Sequence, residues 1–145
     1  MRRVNKTALV LYRADEMFEL VDDIDAYADF LPWCNNSKVI RRQANTVEAS
    51  IEVHRGPVSK TFTTLNTNVQ YQSIDIALLG GPFRRLSGGW RFDALGESGC
   101  KVELELEFAF ESRMVDAMFG AFFEETCNSL VDAFIMRATS VYGDR

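Results

Sequence analysis

The sequence predicts an α+β fold in which a curved antiparallel sheet grips one long C-terminal helix, and three observations carry that reading. Residues 101–111 alternate with a period of two, with Val102, Leu104, Leu106, Phe108 and Phe110 on one side and Lys101, Glu103, Glu105, Glu107 and Glu111 on the other. That is the pattern of a half-buried antiparallel strand. From Arg113 to about Tyr142 the period becomes helical, and at about 1.5 Å per residue such a helix spans ~45 Å, enough to cross a small domain. Between residues 37 and 93, strand candidates follow one another through tight turns, which implies antiparallel pairing with helices segregated to one face. A one-sided sheet and an amphipathic helix must bury their apolar faces against each other. A sheet curled round a helix can also leave a tunnel between them.

The elements follow in order. Residues 6–12 read as a first strand, and residues 15–21 carry Met17, Phe18, Leu20 and Val21 at helical spacing. Asp23 or Asp25 can cap a second short helix bearing Ile24, Tyr27 and Phe30, which Pro32 must end. Two short helices therefore follow strand one. Further strand candidates occupy 37–43, 46–54, 59–70, 73–79 and 84–93, separated by Ala44-Asn45, Arg55-Gly56-Pro57 and Gly80-Gly81-Pro82. With 101–111 the sheet has about six or seven strands. Gly88 and Gly89 lie inside a strand candidate and mark a bulge, a bend or a close backbone approach. In the long helix, Phe119, Phe122, Phe123, Cys127, Leu130, Val131, Phe134 and Ala138 fall on one arc, with Ser112 as N-cap and Gly143 as the stop. One flank of that arc is small: Thr126, Ser129, Ala133 and Ser140. Small side chains there leave volume unless Trp90, Phe92, Phe108 and Phe110 fill it, and close packing favours filling.

At 145 residues and 47% hydrophobic, the chain suits one domain over 1–145 with a sizeable core. No run of ~18 apolar residues is present, and the N-terminal apolar run is too short for a signal peptide. Three cysteines, Cys34, Cys100 and Cys127, without CxxC spacing read as reduced thiols of a cytoplasmic protein. A net charge of −5 argues against wholesale nucleic-acid binding and against DNA as a partner. Catalytic chemistry is hard to find. His54, the single histidine, reads as an exposed bystander beside a turn, no zinc spacing exists, and the glycine pairs match no phosphate or dinucleotide loop. The expectation is a non-enzymatic protein with no catalytic and no metal residues.

The stretch Asp25-Ala26-Tyr27-Ala28-Asp29-Phe30-Leu31-Pro32-Trp33-Cys34 resembles the Tyr-x-x-Phe-Leu-Pro-Trp-Cys signature of the coenzyme Q-binding, START-like (polyketide cyclase/dehydrase) family. Segments 56–64, 81–92, 119–125 and 131–134 agree with it, so the resemblance covers nearly the whole chain and is nearest to the bacterial ribosome association toxin (RatA) branch. The resemblance implies a helix-grip fold, no enzymatic activity, and two functions. One is binding of ubiquinone or a similar isoprenoid quinone as a ligand in support of respiration, with transient contact at the inner membrane surface. The other is binding the large ribosomal subunit and blocking its joining to the small one. A cyclase or aromatase role has only fold analogy behind it.

For a quinone carrier the expected entrance is Phe30, Leu31 and Trp33, and the expected wall is Phe83, Trp90, Phe108, Phe122 and Phe134. For ribosome or RNA contact the candidates are Lys38, Arg41, Arg42, Lys60, Arg84 and Arg85.

Overall fold

A computed structural model describes residues 1–145. Seven antiparallel strands, β1 (Arg2–Val10), β2 (Cys34–Gln43), β3 (Thr46–Arg55), β4 (Val58–Val69), β5 (Ser73–Gly80), β6 (Phe83–Leu95) and β7 (Gly99–Phe110), form one sheet in the order β1-β7-β6-β5-β4-β3-β2. Only the β1–β7 pairing joins strands distant in sequence, and it brings the first strand against the last. Helix α1 (Ala14–Asp22), a 3-10 turn (Ile24–Ala26) and α2 (Tyr27–Phe30) connect β1 to β2. The apolar period of β7 works as its alternation requires. Val102, Leu104 and Phe108 are fully buried, while Glu103, Glu105 and Glu107 line the outer face.

Two expectations change. The first strand begins at Arg2 and ends at Val10 rather than spanning 6–12, because all nine residues pair with β7, from Arg2 opposite Phe108 to Val10 opposite Cys100. Tyr12 has left the sheet. Its hydroxyl donates to the Gly143 carbonyl at 2.7 Å and lies 3.0 Å from the Thr139 hydroxyl, fastening the turn to the C-terminal end.

The long helix is also not continuous. It comprises α3 (Arg113–Val115), a π-turn (Asp116–Gly120), α4 (Ala121–Asn128) and α5 (Leu130–Tyr142). Ser112 caps the start, accepting from the Val115 N–H at 3.1 Å, and Gly143, at φ +86, closes the end. At Ser129 the backbone reaches φ −96, ψ −4 and its hydroxyl donates to the Thr126 carbonyl at 2.8 Å. A side chain that bonds to its own turn in this way bends a helix.

Gly88 and Gly89 make the curl. At φ +136, a Cβ on Gly88 would sit 2.0 Å from the Glu105 carbonyl oxygen, and one on Gly89 would sit 2.2 Å from that of Ile74. Only glycine lets neighbouring strands approach so closely. The resulting concave face wraps α4 and α5.

Candidate functional site

Between the concave face and the helix lies a hollow of about 80 Å³, walled by 17 residues of which 14 are hydrophobic. Its walls explain both its existence and its size. On one side Phe62, Phe83, Phe108, Phe110 and Phe123 pack edge-to-face or stacked, with centroids from 4.7 Å for Phe83–Phe110 to 6.1 Å for Phe83–Phe108. This aromatic plug fills the end of the sheet near β6's start. On the other side Trp90 and Tyr27 stand edge-on to Phe134 at 5.3 and 5.4 Å. Small α4 residues, Thr126 and Cys127, face the gap between the two clusters. The concave sheet and the bent helix thus leave a small hollow between the two aromatic clusters.

The expected ligand residues are distributed unevenly around it. Trp33, Trp90 and Phe134 border the hollow. Phe83 and Phe108 belong to the plug, and Leu31, 1% exposed, is core beneath α2. Phe30 lies on the outer side of Phe134, with the Arg137 guanidinium 4.9 Å from its ring. Phe122 packs on Phe119 and beneath Arg55, at 5.8 Å. The reason is geometric: an aromatic count does not tell which rings interlock with one another and which face space. Ile51, Thr64 and Asn66, which the sequence did not single out, also border the hollow, as do Thr126 of the small flank and Leu130 of the apolar arc. The inward alternation of β4, with Phe62, Thr64 and Asn66 all buried, was the available signal.

The hollow nears the surface where Trp33, Ile51 and Leu130 are each only half-buried. Trp33 is held there by its neighbours on β3. The His54 N–H donates to the Trp33 carbonyl at 2.9 Å, and His54 Nε2 lies 2.8 Å from the Pro32 carbonyl, so Nε2–H donates to it. His54 is therefore a clamp on the Pro32-Trp33 loop and not the bystander that a turn-side histidine suggests. Burial sets the electrostatics of the lining. It pushes the Cys127 thiol and the Tyr27 phenol well above their ordinary values, and the Tyr27 hydroxyl donates to the Val21 carbonyl. Neither group ionises near neutral pH, so the lining carries no charge of its own.

The candidate cations occupy three places. Lys38 and Arg41 are exposed on the edge strand β2, and Arg42 is engaged by Asp22 at 3.0 Å. Arg84 and Arg85 are exposed beside the bulge that opens β6. Lys60 lies two strands from them, ~10 Å across the sheet, and the Phe62–Phe83 contact puts both strand starts at one end. At that end Arg55 donates to the Met118 carbonyl of the π-turn at 2.8 Å. Arg2 holds Asp116 and Glu124 at 2.9 and 3.0 Å.

Residues 10–135 match the family described as polyketide cyclase/dehydrase and lipid transport. The chain belongs to that family. It is 44% identical over 144 residues to the ribosome association toxin RatA of Vibrio cholerae, covering 99% of this chain and 100% of that protein. It is 28% identical over 137 residues to the mitochondrial coenzyme Q-binding protein COQ10 homolog B of Xenopus laevis, covering 91% of this chain and 56% of that one. The Zhui aromatase/cyclase of Streptomyces sp. R1128 superposes with a TM-score of 0.82 at 20% identity, covering 99% of both chains. At that identity the match concerns the fold alone, the curved sheet around a C-terminal helix that β7 and the helical period foretell. The two named relatives are a toxin and a binding protein, whereas the structural neighbour is an enzyme. No helix is long and apolar enough to cross a membrane.

Proposed function

We propose that this chain binds a hydrophobic small molecule between its sheet and its C-terminal helix, with ubiquinone or a similar isoprenoid quinone as the ligand class. The observation that carries this reading is the lining, apolar at 14 of 17 positions with a few polar groups among them. Small-molecule pockets share that composition, because apolar walls supply affinity and sparse polar groups supply orientation. Membership of a family whose description includes lipid transport supports it. So does the coenzyme Q-binding relative.

Volume sets a condition. About 80 Å³ falls below the ~300–1,000 Å³ of typical ligand pockets. A space of ~80 Å³ is smaller than the ~150 Å³ cavity that takes up benzene, so a quinone must widen the hollow toward the rim at Trp33, Ile51 and Leu130. Loading then requires α4 and α5 to part from β3, with the bend at Ser129 between the two helices as the hinge. The proposed role is non-enzymatic, carried out in the cytoplasm with transient contact at the inner membrane surface where such lipids reside. Native mass spectrometry of protein taken directly from cells, with lipid extraction alongside, is the test. A co-purified lipid mass is expected. Ligand-free protein whose Trp33 and Trp90 fluorescence also ignores an added short-chain quinone overturns the reading.

A second reading is favoured by the 44% identity, over the full length, to a ribosome association toxin. Exposed Lys38, Arg41, Arg84 and Arg85, together with Lys60, would then meet ribosomal RNA phosphates on the large subunit. Binding of that kind weakens steeply with salt. Co-sedimentation with large subunits across a salt series tests it, and absence of pelleting at low salt removes it.

A further inference from the structure

We infer that the hollow is built for a ligand whose buried part carries a carbonyl-type hydrogen-bond acceptor, and that the Asn66 amide holds it. This rests on the reading of the hollow as a ligand site. Asn66 lies on the concave face of β4, between Val47 of β3 and Ile76 of β5, and is 8% exposed. Thr64, two residues earlier on the same face, donates its hydroxyl to Asn66 Oδ1 at 3.1 Å. That bond occupies the oxygen end of the amide and leaves the nitrogen end on the side away from the Thr64 hydroxyl. The nitrogen end, with its two N–H donors, has no protein partner. Nor is it sealed off, since the buried polar atoms lacking both a partner and free space are Ser37 Oγ and Asn68 Oδ1. Asn66 is one of the residues that line the hollow, and the unpartnered nitrogen end is the group it can offer to a molecule bound there. Thr126 of α4, also buried, lines the same hollow.

Most buried amides are bonded at both ends, because an unpaired buried donor loses its hydration with no return. Here one end is bonded and the other is unpartnered, on a residue that lines a space otherwise walled by Trp, Ile, Leu and Phe. Two donors at that end select an oxygen acceptor such as a quinone carbonyl. A hydrocarbon of the same size would leave them stranded, and pockets built around a hydrogen bond reject such analogues strongly.

Calorimetric titration with two probes tests this: a short-chain prenylated benzoquinone, and a prenylated arene of matching size without ring oxygens. Wild-type protein is expected to bind the quinone about tenfold or more tightly than the hydrocarbon. Asn66→Leu is expected to lose that preference by weakening the quinone, with the hydrocarbon bound as well as before or better. Retained hydrocarbon binding also shows that the variant has folded. Should it not fold, Asn66→Asp replaces the donor end with an acceptor at nearly constant shape and is expected to lose the preference in the same way. Equal affinities in wild type, as expected if a buried water merely satisfies the amide, overturn the assignment. So does a preference that survives loss of the Asn66 amide. Binding of neither probe to wild type strikes at the hollow itself rather than at Asn66.

Discussion

Single residues in this fold are decided by what surrounds them rather than by their type. Three cysteines without motif spacing read as free thiols, and all three are free and buried. Burial pushes Cys100 up to about 11 and Cys34 and Cys127 upward as well. A raised pKa means less thiolate, the reactive form, at neutral pH. Native protein is therefore expected to show no fast-reacting thiol toward an aromatic disulfide reagent, and unfolded protein to show all three. One rapid native equivalent would contradict the burial. Gly88 makes a sharper case. Its φ of +136 and the 2.0 Å approach to the Glu105 carbonyl leave no room for a methyl group. Gly88→Ala is expected to cost at least ~1–3 kcal/mol by denaturant unfolding, and an unchanged midpoint would show that the strands are not so close there. The glycine pair announced a bend, whereas the atoms it avoids lie on β7 and β5 and needed the sheet to be assembled.

At the scale of elements, the C-terminal helical stretch shows what periodicity misses. An apolar arc runs from Phe119, within the π-turn, past the bend at Ser129 to Ala138, with Phe123, Cys127, Val131 and Phe134 buried along it. Periodicity therefore reads through both irregularities. What stabilises the breaks comes from elsewhere in the chain, with Arg55 bonded to the Met118 carbonyl and Arg2 clasping Asp116 and Glu124. The far end of α5 is tied to α1 by Arg145, which reaches Glu16 at 2.5 Å, and by the Tyr142 hydroxyl, which donates to the Glu16 carbonyl at 3.2 Å. Glu16 is buried, and its hydrogen bond from Arg145 holds it below the ordinary 4.5 of a glutamate. A carboxylate depressed in the folded state stabilises the fold above its unfolded pKa, and that contribution is lost as pH falls through the folded value. Wild type should therefore exceed Arg145→Ala in stability at pH ~7 and lose most of that advantage well below about 4.5. Urea unfolding of both proteins at neutral and acid pH checks it, and a gap independent of pH would deny the Glu16–Arg145 linkage.

For the whole molecule, the quantity that matters is the hollow's volume, and it sets the ligand reading apart from the ribosomal one. Cys127 borders the hollow near the C-terminal end of α4. Cys127→Leu is expected to fill part of the space, to leave stability unchanged or raised, and to lower quinone uptake severalfold, while pelleting with large subunits is unaffected. Uptake that persists would mean the ligand lies elsewhere. Pelleting that falls together with uptake would mean that the two readings share one site. Charge reversal at Arg84 and Arg85 makes the converse separation, and is expected to weaken any salt-sensitive pelleting without touching uptake.

From the order of residues alone came the strand count, the antiparallel sheet, the paired short helices, the amphipathic C-terminal stretch and the family. All of these depend on local periodicity, turn chemistry and short signatures, which the chain carries in consecutive positions. The small volume of the hollow, the plug in which Phe83 and Phe108 pack, the clamp role of His54 and the half-bonded Asn66 were settled only in three dimensions. Each of them depends on which side chains from distant strands meet across a curved sheet, and one-dimensional spacing holds no record of those meetings.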